Sequence, residues 1–133
     1  MTTNMDLIGR NWRDSVIAVG TDQSNLGETL ARVVRSHPEL KMAPIKDRWP
    51  EERIFYRSDH YNFARRGVPI LFFTSGTHPD YHRPSDQPER IDAEKESRLL
   101  RLLFYLGLTI ADGVARPAWR PESYRQVVDP RAH

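Results

Sequence analysis

The sequence contains no cysteine. Disulfide scaffolds, zinc ribbons and thiol catalysis are therefore excluded, and any bound metal must be held by histidine and carboxylate side chains. No apolar run reaches the roughly 18 residues that a membrane-spanning helix needs, so we expect no membrane partner. The first ten residues lack the basic and apolar regions of a signal peptide. The sequence leaves the localisation unknown, and an exported parent protein is compatible with it.

A strong charge of one sign is also missing, because 20 basic residues are balanced by 18 acidic residues among 133. Arginines and acids are interspersed, which is typical of a solvated mixed surface and argues against nucleic acid as a partner. The sequence has no glycine-rich phosphate loop, no G-x-S-x-G elbow and no H-E-x-x-H helix motif. Its length is that of one domain.

Two continuous apolar runs indicate buried strands. Residues 16–19 and 68–73 are apolar throughout and border on turn residues, as expected for strands covered by helices on both faces. We therefore expect an α/β fold in which these strands are adjacent or nearly adjacent in one sheet. A long helix, predicted from Ala93 to Val114 and capped by Asp92, should pack on this sheet through a broad apolar stripe. The stripe consists of Leu99, Leu102, Leu103, Leu106 and Ile110, and it is widened by Leu100, Phe104 and Leu108.

Shorter elements complete the predicted domain. Ser24 is expected to cap a helix that ends before Pro38, because apolar side chains recur there at helical spacing. A second short helix is expected from His60 to Arg66, burying Phe63 and Ala64. Proline, arginine and glutamine dominate the end of the chain. They predict a folded portion at 1–116 and a poorly ordered tail at 117–133.

A polar loop follows the second apolar run. It holds two histidines and two aspartates that are potential metal ligands: His78, Asp80, His82 and Asp86. Polar loops at the carboxyl ends of buried strands are where α/β enzymes present their chemistry, and histidine with carboxylate is a hydrolytic zinc set. The same residue types are ordinary in surface loops. Asp6 likewise fits a strand-end cap or a ligand, and Asp59 fits a helix cap.

Four motifs occur in order along the chain: Asn4-Met5-Asp6-Leu7-Ile8-Gly9, Arg57-Ser58-Asp59-His60-Tyr61-Asn62-Phe63, Gly67-Val68-Pro69 and Tyr81-His82-Arg83-Pro84-Ser85-Asp86. Each is weak alone. Together, over about residues 4–115, the chain resembles the second half of the bimetallic zinc aminopeptidases, peptidase family M28. The resemblance implies a three-layer αβα fold whose mixed sheet is flanked by helices, here apparently incomplete. It also implies a peptide substrate, hydrolysed by water activated between two zinc ions.

The resemblance implies roles for particular residues. Asp6 would be a ligand of one zinc ion and His82 of the other, so their side chains should come within about 10 Å. Tyr81 would direct its hydroxyl at the oxyanion of the tetrahedral intermediate, and Arg57 would contact the substrate. Three further residues are hypothesised to orient the site from behind its ligands: Asp59, His60 and Asp86.

One departure from the family pattern decides the functional expectation. The family also uses an upstream histidine, a bridging aspartate and a Glu-Glu pair that supplies the base. All of these are expected before residue 4, and the only Glu-Glu pair here, Glu51-Glu52, comes later, in a charged loop. We therefore expect a metallopeptidase segment that binds zinc weakly and is silent alone. Its activity would belong to a longer parent or to a complex with the missing N-terminal half, and a homo-oligomer is a further expected partner. The alternative is a non-catalytic binding module that retains the peptidase scaffold.

Overall fold

The structure, a computed structural model, describes residues 1–128. Its four strands are β1 (Thr2–Met5), β2 (Ser15–Val19), β3 (Ala43–Ile45) and β4 (Ile70–Thr74). They form one mixed sheet in the order β1-β4-β2-β3. β4 is parallel to β1 and antiparallel to β2, and β3 is parallel to β2. The predicted α/β fold and the adjacency of the two apolar strands are both confirmed.

Helices connect and cover these strands. The α-helices of the described chain are α1 (Leu26–Ser36), α2 (His60–Ala64), α3 (Ala93–Ala111) and α4 (Pro121–Val127). Short 3₁₀ turns lie at Pro38–Leu40, Pro50–Glu52, Ile54–Tyr56 and Pro88–Arg90. Within residues 1–128, no helix combines the length and apolar character needed to cross a membrane.

The first face of the sheet packs against α1 and α3. Because side chains alternate across a strand, every second residue of β2 and β4 points to this face. The resulting core contains the buried residues Val16, Ala18, Leu26, Leu30, Val33, Leu71, Phe73, Leu99, Leu102 and Leu106. As predicted, α3 packs on the sheet, with its N-terminus capped by Asp92, whose carboxylate accepts the Lys95 amide at 2.9 Å.

The opposite face of the sheet is covered by α2, α4 and the turn at 54–56. Its core contains Ile17, Val19, Phe55, Ala64, Ile70, Phe72 and Val127. The Trp119 indole donates to the Gly67 carbonyl at 2.9 Å and helps to hold the last segment here. Part of the expected tail thus forms α4 and buries Val127, the division of the chain at residue 116 stays a prediction, and residues 129–133 lie outside the described residues.

Three local predictions are wrong. Phe63 is 51% exposed, because His60 occupies the buried side of α2 together with Ala64. The N-cap of α1 is Asn25 rather than Ser24, although the Ser24 hydroxyl accepts the Leu26 amide at 3.3 Å. The expected apolar stripe of α3 is narrower than its sequence indicates, since three of its large side chains are about half exposed: Leu100, Phe104 and Leu108.

Candidate active site

Asp6 lies at the carboxyl ends of two parallel strands. The Asp6 amide donates to the Phe73 carbonyl at 3.1 Å, and the Ser75 amide donates to the Leu7 carbonyl at 3.0 Å. These bonds extend the pairing of β1 and β4 beyond the strands themselves. The Asp6 side chain is exposed there, which is the edge of the sheet where α/β enzymes bind their ligands.

Three of the predicted site residues line one small pocket. Asp6, Arg57 and Tyr81 come from distant parts of the chain and surround a cavity of about 150 Å³. The side-chain amide of Asn4 donates a hydrogen bond of 3.0 Å to the Ser58 hydroxyl, which joins β1 to the segment that carries Arg57. The pocket therefore brings together the first, second and fourth sequence motifs.

The pocket also contains residues that the motifs did not indicate. Trp49, Ile54 and Phe72 supply apolar lining. The Trp49 ring lies directly over Gly76, where a β-carbon would approach it to 2.4 Å. Gly76 also has a φ of +70°, which side chains rarely allow, so glycine is required for both reasons.

A carboxylate from the charged loop reaches the same pocket. Glu52 lines it, and its side chain accepts a hydrogen bond from the Arg57 guanidinium at 3.2 Å. Both side chains remain accessible to solvent. From its position in the sequence, the Glu51-Glu52 pair was not expected in the site, yet Glu52 lines the pocket in the folded chain. An exposed pair of this kind contributes little stability, so Arg57 can exchange Glu52 for another carboxylate at low cost.

Tyr81 and His82 lie on an exposed loop. Their rings stack with centroids 3.9 Å apart, and His82 has a left-handed φ of +57°. Tyr81 lines the pocket, whereas His82 packs on the Tyr81 ring. The close approach of the Asp6 and His82 side chains stays a prediction.

Asp86 lies at the far end of this loop. It accepts a hydrogen bond from Arg10 at 2.6 Å, and its other oxygen lies 3.6 Å from Nε2 of His78. Asp86 and His78 line a second, wider cavity of about 540 Å³, to which Asp6 also contributes. Asp6 thus borders both cavities.

His60 lies behind the pocket wall rather than within the pocket. It is buried, its Nε2 donates to the Phe55 carbonyl at 2.8 Å, and its ring stacks on Phe72 with centroids 4.5 Å apart. Burial lowers the pKa of His60 and favours the neutral ring. Asp59 occupies the N-cap position of α2, but its side chain makes no capping hydrogen bond. Orientation of the site by these two residues stays a hypothesis.

The described residues do not form a complete metal site. Among residues 1–128, no group of three or more histidine and carboxylate side chains could hold a metal ion. A catalytic zinc ion needs three protein ligands, so the residues present do not fit one by themselves.

The match to known families is decisive for the assignment. Residues 1–107 match the profile of peptidase family M28. The chain belongs to peptidase family M28. This confirms the resemblance inferred from the four motifs and supports a hydrolase of the peptidase class. No curated protein and no solved structure matched the chain.

This M28 chain also contains a buried cation that the motifs did not indicate. Lys95, in the first turn of α3, is completely buried, and its ammonium donates to the Arg10 carbonyl at 2.6 Å and to the Ser75 hydroxyl. Burial lowers the pKa of Lys95 to about 8. Lys95 lies four residues before Leu99 and therefore on the same face of the helix, and this spacing is the sequence feature that could have indicated its burial.

Proposed function

We propose that this M28 chain supplies part of the active site of an aminopeptidase, which removes N-terminal residues from peptides. The observation that carries the proposal is the shared pocket of Asp6, Arg57 and Tyr81. These side chains come from three separate motifs and supply a carboxylate, a guanidinium and a phenol at the carboxyl ends of parallel strands. A pocket with a few convergent polar groups on apolar walls is the usual form of a substrate site.

Each of these residues has a proposed task. The Tyr81 hydroxyl would donate a hydrogen bond to the oxyanion that develops when the peptide bond is attacked. Arg57 would leave Glu52 and bind a carbonyl or carboxylate of the peptide. In the complete family site, Asp6 and His82 would each hold one of two zinc ions.

The chain alone is proposed to be catalytically silent. Residues 1–128 contain no three-ligand group, so zinc binding should be weak or absent. Without an activated water and a base, no oxyanion forms for Tyr81 to stabilise. The cause would be missing chemical groups rather than a defective fold, because the core residues on both faces of the sheet are buried.

The free edge of the sheet suggests where the remaining groups would be supplied. β1 is an outer strand, paired only with β4 among the described residues. Unpaired strand edges readily accept another strand. We propose that an upstream half of the peptidase pairs here, with a second copy of this chain as the competing occupant.

An aminopeptidase assay with chromogenic aminoacyl substrates and added zinc tests this function. The chain should show no turnover alone, and it should show chelator-sensitive turnover after mixing with a polypeptide that supplies the upstream half. A Tyr81→Phe variant should reduce kcat in the mixture by about 10²-fold or more, as expected for loss of an oxyanion donor. Chelator-sensitive turnover by the chain alone would show that the site is misassigned.

A second candidate function is a non-catalytic module that binds peptides on the peptidase scaffold. The absence of a three-ligand group in residues 1–128 favours it. In that case, the mixture would stay inactive while the chain alone binds peptides in the pocket. Peptide binding measured with the Arg57→Gln variant as control separates it from the first proposal.

A further inference from the structure

We propose that Arg10 is a positioning residue that holds the Tyr81–His82 loop by bridging the aspartates on either side of it, Asp80 and Asp86. We call the Arg10 guanidinium together with Asp80 and Asp86 the clamp, and this arrangement is a property of the fold. Its catalytic consequence rests on the proposed function, because it concerns where Tyr81 is held.

The guanidinium of Arg10 makes two separate charged hydrogen bonds. Nη2 donates to Asp80 at 2.7 Å and Nη1 donates to Asp86 at 2.6 Å. The two aspartates lie on either side of Tyr81 and His82 in the sequence. A planar guanidinium with several fixed donors can join two carboxylates in this way, whereas an ammonium group offers no such fork.

Other side chains strengthen the Asp80 end of the clamp. Ser85 donates to Asp80 at 2.8 Å and Arg90 donates to it at 2.9 Å. Asp80 thus accepts hydrogen bonds from three side chains, which anchor this end of the loop.

The Asp80 arm of the clamp is more sheltered than an ordinary surface ion pair, whereas the Asp86 side chain is 35% exposed. The side chains of Arg10 and Asp80 are 16% and 13% exposed, whereas those of the nearby Arg13–Glu94 pair are 64% and 62% exposed. Exposed pairs contribute little because solvent and salt screen them and long side chains lose freedom. Because Arg10 has two partners and is partly buried, its contacts are less weakened by solvent screening and by the loss of side-chain freedom.

The backbone that carries Arg10 is fixed as well. Lys95 donates to the Arg10 carbonyl at 2.6 Å, and the Asp92 amide donates to the Gly9 carbonyl at 2.9 Å. Both donors belong to the start of α3, which packs on the sheet. Arg10 is thus attached to a rigid part of the domain, so it can hold the loop rather than move with it.

The loop needs such a hold because its backbone is strained. His82 adopts a left-handed φ of +57°, which is unfavourable for a residue with a β-carbon. Strained residues persist only where surrounding contacts over-determine them. Arg10 also follows Asp6 closely on the same segment, so the clamp sets the placement of Tyr81 relative to Asp6.

Hydrogen exchange of the full chain tests the clamp without any activity. In Arg10→Gln, the amides of Tyr81, Arg83 and Asp86 should exchange at least about tenfold faster, while β4 stays protected. The matched control Arg13→Gln removes an exposed ion pair from the same segment and should leave these amides unchanged. Arg10→Lys should restore only part of the protection.

Two results would overturn the clamp. In the first, β4 of Arg10→Gln exchanges faster by the same factor as the loop amides, which would mean that the whole domain is loosened. In the second, the loop amides exchange at the wild-type rate. If Arg10→Gln does not fold, Asp86→Ala removes the acceptor of one of the two bonds only and should still speed exchange of the Arg83 amide. Wild-type rates in that variant would equally refute the proposal.

Measuring kcat and KM of the mixture separates a failure of the clamp proposal from a failure of the proposed function. In the mixture with the upstream half, Arg10→Gln should lower kcat about tenfold with KM changed less than about twofold, because Tyr81 acts in the transition state. An inactive wild-type mixture would refute the proposed function, and hydrogen exchange would still decide on the clamp. An active mixture with unchanged kcat in Arg10→Gln would refute the positioning role.

Discussion

The buried ammonium of Lys95 should make the stability of the domain depend on alkaline pH. Lys95 donates to the Arg10 carbonyl and to the Ser75 hydroxyl, both neutral acceptors. Neither replaces the hydration that the charge loses on burial, and this loss lowers the pKa of Lys95 to about 8. In the unfolded chain, a lysine has a pKa of about 10.4.

The sign of the effect follows from these two values. Between about pH 8 and about pH 10.4, the unfolded chain binds more protons than the folded chain, so the free energy of unfolding rises with pH. The penalty for the charged form is fully present below about pH 8 and is lost by about pH 10.4. A shift of this size corresponds to roughly 3 kcal/mol at most, and solvent at the exposed residues Ala93 and Glu94 beside Lys95 screens the charge and reduces this to about 1–2 kcal/mol.

The assay is chemical denaturation of the wild type and of Lys95→Met at several pH values from about 7 to about 10.5. The free energy of unfolding of the wild type, minus that of the variant, should rise by about 1–2 kcal/mol across this range. Subtraction removes the titration of tyrosines and other shared groups. The control Lys46→Met removes an exposed lysine and should show no such rise.

A wild-type minus variant difference that stays constant or falls with pH would refute the reasoning. If Lys95→Met is too unstable to measure, NMR titration of the Lys95 side chain in the wild type gives the same answer. A midpoint near that of a free lysine would show that burial does not penalise the charge.

Three further predictions concern the core and the pocket wall. Leu106→Ala should lower the free energy of unfolding by about 2–5 kcal/mol, and the exposed Leu108→Ala by less than about 0.5 kcal/mol, as measured by denaturation. Gly76→Ala should displace the Trp49 ring and change the tryptophan fluorescence; an unchanged spectrum would contradict the close contact. Burial lowers the pKa of His60, so the stability it contributes should be lost as pH falls below about 6.5. His60→Gln should lack this acid dependence.

The main elements of the sheet could be predicted because their signals are local. β2 and β4 are short runs of apolar residues, and burial on both faces is what makes such runs continuous. The stripe of Leu99, Leu102 and Leu106 predicted α3 in the same way. Pro44 lies within β3, where proline is tolerated because β3 is an edge strand that makes ladder hydrogen bonds on one side only.

The remaining parts of the site depend on contacts that sequence spacing does not encode. Trp49 lies in a segment that is charged and irregular, and only its contact with Gly76 places it in the pocket wall. The spacing of Lys95 from Leu99 places it on the apolar stripe of α3, but nothing in the sequence indicates that the Arg10 carbonyl accepts its ammonium across the fold. Motif order predicted that Asp6 and Tyr81 belong together, but it gave no indication of Glu52.

The position of Asp6 at an outer strand bears on how a complete site would be assembled. Active sites at the carboxyl ends of parallel strands take residues from the strands on either side. On one side of Asp6, β4 leads into the loop that carries Tyr81. On the other side, no strand is present within residues 1–128, although a paired strand would lie only about 4.8 Å away. A parallel strand added there would end beside Asp6, so its following loop could supply the ligands and the base that residues 1–128 lack.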